Sequence, residues 1–358
     1  MKKTNGHTKS SNGKTSKFTF IDLFAGIGGF RIALDKHGGR CVFSSEWDVH
    51  SQKTYSTNFG EIPHGDITKI KEADIPPHDV LCAGFPCQAF SISGKRQGFN
   101  DTRGTLFRDI ARIAKHHKPK VLFLENVKNI LKHDNGNTIT VIKNTLVELG
   151  YTPFIKMLRS SDFGVPQARE RVYFIAFRND LGVTEFDFPT GTAAAKVVDD
   201  ILESEPVKIS CYIDRKDIVI KKVNPEVIDK RKPLQIGIIN KGGQGERIYS
   251  TKAAGITLSA YGGGAASKTG AYLVNGKIRK LTPRECARMQ GFPEKYIIPV
   301  PDNVAYKQFG DSVSVPVLEA IFSRILETFP ELKTNNKQEA IENVLRPVQQ
   351  LTIETTNA

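Results

Sequence analysis

No run of the chain approaches the ~18 consecutive apolar residues that a membrane-spanning helix requires. The lysines near its start are followed by no apolar stretch of the kind a secretory signal carries. Cysteine is sparse: there are five, none spaced as a close CxxC pair. That argues against a disulfide scaffold or a structural zinc site, and for a reduced cytoplasmic setting. Acid is also in short supply, with 38 Asp and Glu against 51 Lys and Arg, a formal charge of +13. The imbalance is uneven. Residues 1–17 hold five lysines and no acid, the composition of a flexible arm. Residues 230–280 hold ten basic residues, one acidic (Glu246) and ten of the thirty glycines. A basic, glycine-rich surface suits a phosphate backbone, although basicity alone equally describes a solvated face. What remains is ordinary: 39% hydrophobic and 25% charged residues over 358 positions, enough for a sizeable core and about two domains.

The first half alternates strand and helix. FTFIDLF at 18–24 reads as a buried strand running into AGIGG and a helix over about 28–38. A short strand at 40–45 ends at Glu46 and Trp47, and a helix near 50–58 leads to a turn at Gly65-Asp66. VLCAG at 80–84 is a strand stopped by Pro86. Residues 105–117 put Leu106, Ile110, Ile113 and Ala114 on one helical face. KVLFLEN at 120–126 is a strand, 137–149 a helix, and 151–158 and 171–177 two further strands. This order predicts an α/β fold with a mostly parallel, Rossmann-like sheet covered by helices on both faces. From about 195 to 282 the pieces VKISCYI, DIVIKKV, QIGIIN and AYLV predict a smaller, mostly β domain. TPRECARMQGF then begins a helix, and VAYKQFG leads into a last one over about 313–329.

The glycines of FIDLFAGIGG let a ligand approach the backbone at a helix N-terminus. Alone they describe no more than a tight strand–helix turn. Glu46, 18 residues after Gly28, ends the second strand where a carboxylate can accept bonds from both hydroxyls of a ribose. Trp47 can lie on an adenine face and Asp66 can receive its amino group. Nicotinamide dinucleotides and S-adenosylmethionine both offer such a ribose. The loop is not GxGxxG, and Asp22 at its acidic start suits a sulfonium better than a pyrophosphate, so the methyl donor is preferred.

GFPCQAFS puts Cys87 just past a strand end, on the crevice edge of an α/β sheet. A lone cysteine is commonly a small buried hydrophobe, the reading preferred for Cys82. Cys87, between Pro86 and Gln88, lies in a loop instead. Glu125 ends a neighbouring strand, and Arg169 and Arg171 begin the next; by themselves those arginines equally fit a surface ion-pair edge. Together the groups match methylation at carbon 5 of cytosine, where a thiolate adding at carbon 6 turns the ring into a nucleophile. Enzymes that methylate exocyclic amines use an Asp/Asn/Ser-Pro-Pro-aromatic loop. Ile75-Pro-Pro-His-Asp79 lacks its leading polar residue and its aromatic.

These residues resemble the DNA cytosine-5 methyltransferases of bacterial restriction–modification systems. The matching strings, in the family's order over about 18–328, are FIDLFAGIGG, Glu46-Trp47, Gly65-Asp66-Ile67, GFPCQAFS, RGTLF at 103–107, Glu125-Asn126-Val127, QARERVYFIAF, LTPRECARMQGFP and YKQFGDSV. The resemblance implies a flexible arm at 1–17, a catalytic and S-adenosylmethionine-binding domain at 18–195, and a target-recognition domain at 196–282. A hinge and closing helix at 283–330 and a polar tail at 331–358 complete it. It implies Cys87, Glu125, Arg169 and Arg171 as catalytic residues and a base flipped into their pocket. Donor contacts would come from Phe24, Gly26, Gly28, Gly29, Glu46, Trp47, Asp66, Ile67, Gly84, Pro86, Leu106, Asp311 and Ser312, with S-adenosylhomocysteine as product and no metal. KGGQGERIYST at 241–251 and ITLSAYGGG at 256–264 are similar to members that methylate the inner cytosine of GCGC. By that likeness Gln244 enters the duplex opposite the displaced base, helped by Ser93. Arg247 reads guanine, and Thr257, Tyr261, Gly263 and Gly264 line the recognition loops. A monomer acting on double-stranded DNA in the bacterial cytoplasm and nucleoid is expected, with a cognate endonuclease sharing its site without needing to bind it. A transfer-RNA methyltransferase, a non-catalytic DNA-binding protein and a nucleotide-dependent oxidoreductase are the alternatives. One position departs from the pattern: the usual Gly-Asn-Ser-Val carries Asp311, which brings acceptors only and a like charge for the donor's carboxylate.

Overall fold

The computed structural model describes residues 16–85, 106–191, 194–221 and 229–333. Its larger sheet has six strands: β1 (Phe18–Leu23), β2 (Gly39–Ser45), β3 (Val80–Gly84), β4 (Val121–Val127), β5 (Tyr151–Arg159) and β6 (Glu170–Arg178). Their order is β2-β1-β3-β4-β6-β5. The first four pair in parallel, and β6 runs antiparallel to both β4 and β5. Strands buried on both faces read as continuous apolar runs, and that is why VLCAG and VLFLENV carry so little alternation.

Side-chain parity sorts the two cores. Phe18, Phe20, Cys82 and Phe123 face one side, under α1 (Gly29–Lys36) and α7 (Val315–Thr328), where Leu34, Ile321 and Phe322 meet them. Ile21, Leu23, Leu81 and Leu122 face the other, under α3 (Leu106–His117) and α4 (Asn137–Glu148), against Ile110, Ile113 and Ile142. The helix α2 (Val49–Phe59) follows β2, N-capped by Asp48, whose carboxylate accepts the Ser51 N–H at 2.8 Å.

The second sheet has order β11-β10-β9-β8-β7, from β7 (Ile218–Ile220), β8 (Gln235–Ile239), β9 (Arg247–Ser250), β10 (Ala271–Val274) and β11 (Lys277–Lys280). Ile236, Ile239, Ile248 and Ile278 form its own small core, while Tyr249 and Tyr272 join the larger one. Three local expectations change. VKISCYI is no strand, only a single helical turn at Ile209–Cys211. Arg247–Ser250 and Lys277–Lys280, too polar to read as strands, become strands because sheet pairing satisfies their backbones. VAYKQFG does not run into the last helix. It belongs to a helix of its own, α6 (Asp302–Asp311), separated from α7 by extended Ser312 and by Pro316 in the first turn of α7. Ahead of it, α5 (Pro283–Met289) begins with a capping box between Thr282 and Glu285.

Candidate active site

The ends of β1, β2, β3 and β4 form one crevice. After β1 the chain turns through Phe24, Gly26 and Gly28, all at positive φ (56°, 54° and 84°). Phe24 is held there although it is no glycine, while Gly28 has a second reason to lack a side chain: a Cβ would overlap the Phe59 ring. The turn is clamped from β2. Glu46 Oε2 accepts the Gly26 N–H and Oε1 the Asp48 N–H, both at 2.8 Å. Burial pushes the Glu46 carboxyl up, and those two amides oppose the shift. Each oxygen keeps a further lone pair for a ribose hydroxyl. Beside it Trp47 is 78% exposed, a large flat face left to solvent.

Residues 64–66 run along the end of β2, with the Glu46 N–H donating to the His64 carbonyl at 2.8 Å. This brings Asp66 and Ile67 to the same edge. Asp66 Oδ1 accepts from the Thr68 amide and hydroxyl, which hold its carboxyl below the usual range. On the opposite wall Val313 packs so closely on Gly29 that a Cβ there would overlap it, and Ser312 adjoins the glycine turn, while Asp311 before it is exposed. Leu106 begins α3 at the mouth of the crevice.

Under the turn lies Asp22, 1% exposed, faced by the Arg31 backbone amide and with no side chain closing on either carboxylate oxygen among the described residues. Burial pushes its carboxyl up to about 8, against the attraction of Arg31. A glycine turn without side chains, a carboxylate on a strand end, an open indole and a buried acid form a polar cradle open to an adenosine-bearing cation. The residues present fit S-adenosylmethionine.

The second part of the site is at β3 and β4. Pro86, Cys87 and Ser93 lie outside the described residues. The start of their loop does not: the Phe85 N–H donates to the Glu125 carbonyl at 3.3 Å, and Asn126 Nδ2 donates to the Phe85 carbonyl at 2.8 Å. Glu125 is buried, and a Cβ on Gly84 would stand 3.6 Å from its Oε2. Burial pushes the Glu125 carboxyl up, while Arg171, with Nε 3.1 Å from Oε1, pulls it back.

The two arginines part company. Arg171 faces Glu125. Arg169 is buried and bonded to main chain: Nη1 donates to the carbonyls of Leu258 (3.3 Å) and Gly310 (3.2 Å), Nη2 to that of Ser312 (2.6 Å). It braces the recognition segment against the end of α6. Neither this brace nor the Asn126 bond to Phe85 has a signal in the local sequence, because both depend on contacts between distant residues.

The recognition residues lie on the second sheet and its loops. Gln244 and Arg247 are exposed, and Arg247 Nε donates to the Gly242 carbonyl at 3.3 Å. Their loop packs backbone to backbone on the next: the Ala266 N–H donates to the Gly245 carbonyl at 2.8 Å, and a Cβ on Gly245 would overlap the Gly263 carbonyl. Gly264 sits at φ 93°, close to Gly245. Tyr261 is 71% exposed. Thr257 turns inward, its hydroxyl donating to the Ala168 carbonyl at 3.0 Å. Among the described residues no group of three His, Cys, Asp or Glu could hold a metal.

Residues 18–327 match the family profile of the C-5 cytosine-specific DNA methylases. The chain belongs to that family. It is 57% identical over 303 residues to the type II methyltransferase M.HhaI of Haemophilus parahaemolyticus, covering 84% of this chain and 92% of that protein. It is 46% identical over 333 residues to M.HpaII of Haemophilus parainfluenzae, covering 88% and 91%. The fold matches that of the S. pombe Dnmt2 methyltransferase with a TM-score of 0.64 at 20% identity, over 87% of this chain and 98% of that one. The protein is therefore a cytosine-5 DNA methyltransferase of the type II restriction–modification kind, with S-adenosylmethionine as donor.

Proposed function

We propose that this methyltransferase modifies the inner cytosine of GCGC in duplex DNA through a covalent adduct on Cys87, with the target base flipped out of the helix. The observation that carries the chemistry is the meeting of Phe85, two residues before Cys87 in sequence, with the β4 end that holds buried Glu125 against Arg171. The donor supplies an electrophilic methyl group on a sulfonium. The Cys87 thiolate adds to carbon 6 while Glu125, whose carboxyl burial keeps protonated to higher pH, donates to the ring nitrogen. Arg171 holds the base carbonyl oxygen and takes up charge as it develops. Carbon 5 then takes the methyl as the sulfonium carbon–sulfur bond breaks to leave the neutral thioether. A base or water removes the carbon 5 proton, the ring nitrogen returns its proton to Glu125, and the cysteine leaves as thiolate as the ring double bond reforms.

Glu46 would hold the donor's ribose, Trp47 and Ile67 its adenine and Asp66 the adenine amino group, with the glycine turn and residues 311–313 on either side. Phe24, Gly84, Pro86 and Leu106 complete its walls. Arg169 acts through position, holding α6 and the recognition segment around the pocket. Gln244, aided by Ser93, fills the space left by the flipped base. Arg247, exposed at the start of β9, reads guanine with its guanidinium. Tyr261, Gly263 and Gly264 meet the DNA backbone, and Thr257 tethers their loop. Supporting the target assignment are the 57% identity with M.HhaI and the strings at 241–251 and 256–264. The enzyme would act as a monomer in the bacterial cytoplasm, with an endonuclease of the same specificity as its counterpart.

Methylation mapping at base resolution on a plasmid treated in vitro tests this. Methyl groups should appear at carbon 5 of the inner cytosine of every GCGC. Modification of the outer cytosine, or at another recurrent sequence, would overturn the target assignment.

A further inference from the structure

Two buried glutamines join the recognition segment to the wall of the donor crevice. Gln167 lies ahead of β6 and Gln290 just after α5, and neither is open to solvent. Gln167 Oε1 accepts the Leu258 N–H at 2.9 Å. Its Nε2 donates to the Met289 carbonyl at 3.1 Å and to Gln290 Oε1 at 3.0 Å. Gln290 Nε2 donates in turn to the carbonyls of Phe309 (2.7 Å) and Ser312 (3.3 Å). Each amide oxygen thus has a donor, and each amide nitrogen uses both of its hydrogens. The order has one direction only. Turning over the Gln167 amide would set its NH2 against the Leu258 N–H, and turning over Gln290 would set two NH2 groups face to face.

The relay connects the two places assigned above to ligands. At one end, beyond Leu258, Ser259 and Ala260 press so closely on Gly310 that a Cβ there would overlap them. Tyr261, Gly263 and Gly264 follow directly in the chain. At the other end Val313, next to Ser312, packs on Gly29 of the glycine turn. A buried and fully satisfied polar network resists partial rearrangement, because a bond that opens leaves an amide or a carbonyl without partner or water. Ordering 258–261 therefore orders 309–313 as well, and the second ligand meets a site already set. Resting on the donor and DNA sites proposed above, we propose that Gln167 and Gln290 are positioning residues that couple the two, so that the target duplex tightens donor binding and the donor tightens duplex binding by the same factor.

Calorimetric titration of S-adenosylhomocysteine, which has no methyl to transfer, into the free enzyme and into the enzyme saturated with duplex tests it. The duplex carries GCGC with an abasic nucleotide in place of the inner cytosine, so that no flipped base touches the ligand. In the wild type this duplex should tighten the ligand's Kd at least about fivefold. In Gln167→Met and Gln290→Met, which keep the side-chain length and lose the hydrogen bonds, that factor should fall at least about threefold. Tyr151→Phe, which removes a buried hydrogen bond to the Pro119 carbonyl away from the relay, should keep the wild-type factor. A second measurement uses the wild type alone: without DNA, S-adenosylhomocysteine should slow hydrogen exchange in the peptide 256–262. No tightening in the wild type, the wild-type factor in both glutamine variants, or unchanged exchange at 256–262 would overturn the proposal while leaving both sites intact. Failure of the wild type to bind the ligand, or to prefer GCGC over a scrambled duplex, would remove the sites themselves, and this proposal with them.

Discussion

A carboxyl group sealed in an interior with little hydrogen bonding costs stability, and Asp22, faced by the Arg31 backbone amide and by no side-chain donor, is such a group. It faces Arg31 and Asp35 of α1, Cys41 and Glu46 of β2, Cys82 of β3 and Tyr55 of α2. Arg31 does not neutralise it directly, because its guanidinium is spent on Asp35, Tyr55 and Glu61. With its carboxyl raised to about 8 in the folded protein, Asp22 keeps its proton where the unfolded chain has lost it. Folding therefore binds a proton between about pH 4 and pH 8. The resulting stabilisation is complete below pH 4 and is lost as the pH rises through 8, by at most about 1.4 kcal/mol per pH unit. Asp22→Asn cannot titrate. The melting temperature of the wild type should fall relative to Asp22→Asn from pH 5.5 to pH 8.5. A parallel pair of melting curves over that range would show that Asp22 is solvated or paired in the folded protein.

At the scale of elements, the helix α6 gathers the site. Gln308 Oε1 accepts the Thr54 hydroxyl of α2 at 3.0 Å, Gly310 leaves no room for a side chain against Ser259 and Ala260, and Arg169 ties the C-terminal end of α6 to Leu258. The donor crevice and the recognition loops thus share one support. On the proposed function, the loop carrying Arg247 and the terminal arm should contribute to DNA binding in different ways. Lys17 is already fixed, its N–H donating to the Gly38 carbonyl, so the arm proper is 1–15. Its lysines can meet phosphates regardless of sequence. Deleting 1–15 should weaken binding to GCGC and scrambled duplexes by a similar factor at low salt. Arg247→Ala should cost roughly 1–3 kcal/mol on GCGC alone. Fluorescence anisotropy on both duplexes at two salt concentrations separates the two. Equal losses for Arg247→Ala on both duplexes would reduce it to a phosphate contact. The central strands and their helices were legible because burial on both faces writes itself into apolar runs such as VLCAG. The strands Arg247–Ser250 and Lys277–Lys280, and the separate helix α6, were not. Their stability comes from pairing and docking with distant segments, and that leaves no periodic trace in a short polar stretch.

For the whole molecule, two sheets share a core through Tyr249 and Tyr272, and the crevice lies where the first sheet's strand ends meet the segment 258–264 supported by the second. The motifs made this arrangement readable as residues with roles: Glu46, Glu125 and Arg171 stand at the strand ends where their spacing implied. Their division of labour was less readable, since only the folded chain separates Arg171 at Glu125 from Arg169 on its carbonyls. The central claim is a covalent bond from Cys87 to the target cytosine, and the most direct measurement traps it. A GCGC duplex with 5-fluorocytosine at the inner position cannot lose a carbon 5 proton after methyl transfer, so the enzyme should stay attached. With donor present, wild-type protein should form an adduct that survives denaturing electrophoresis, and peptide mapping should place the modification on Cys87. Cys87→Ser should bind the same duplex and form none. A stable adduct on another residue, an adduct with Cys87→Ser, or no adduct from an enzyme that methylates the unsubstituted duplex would contradict it.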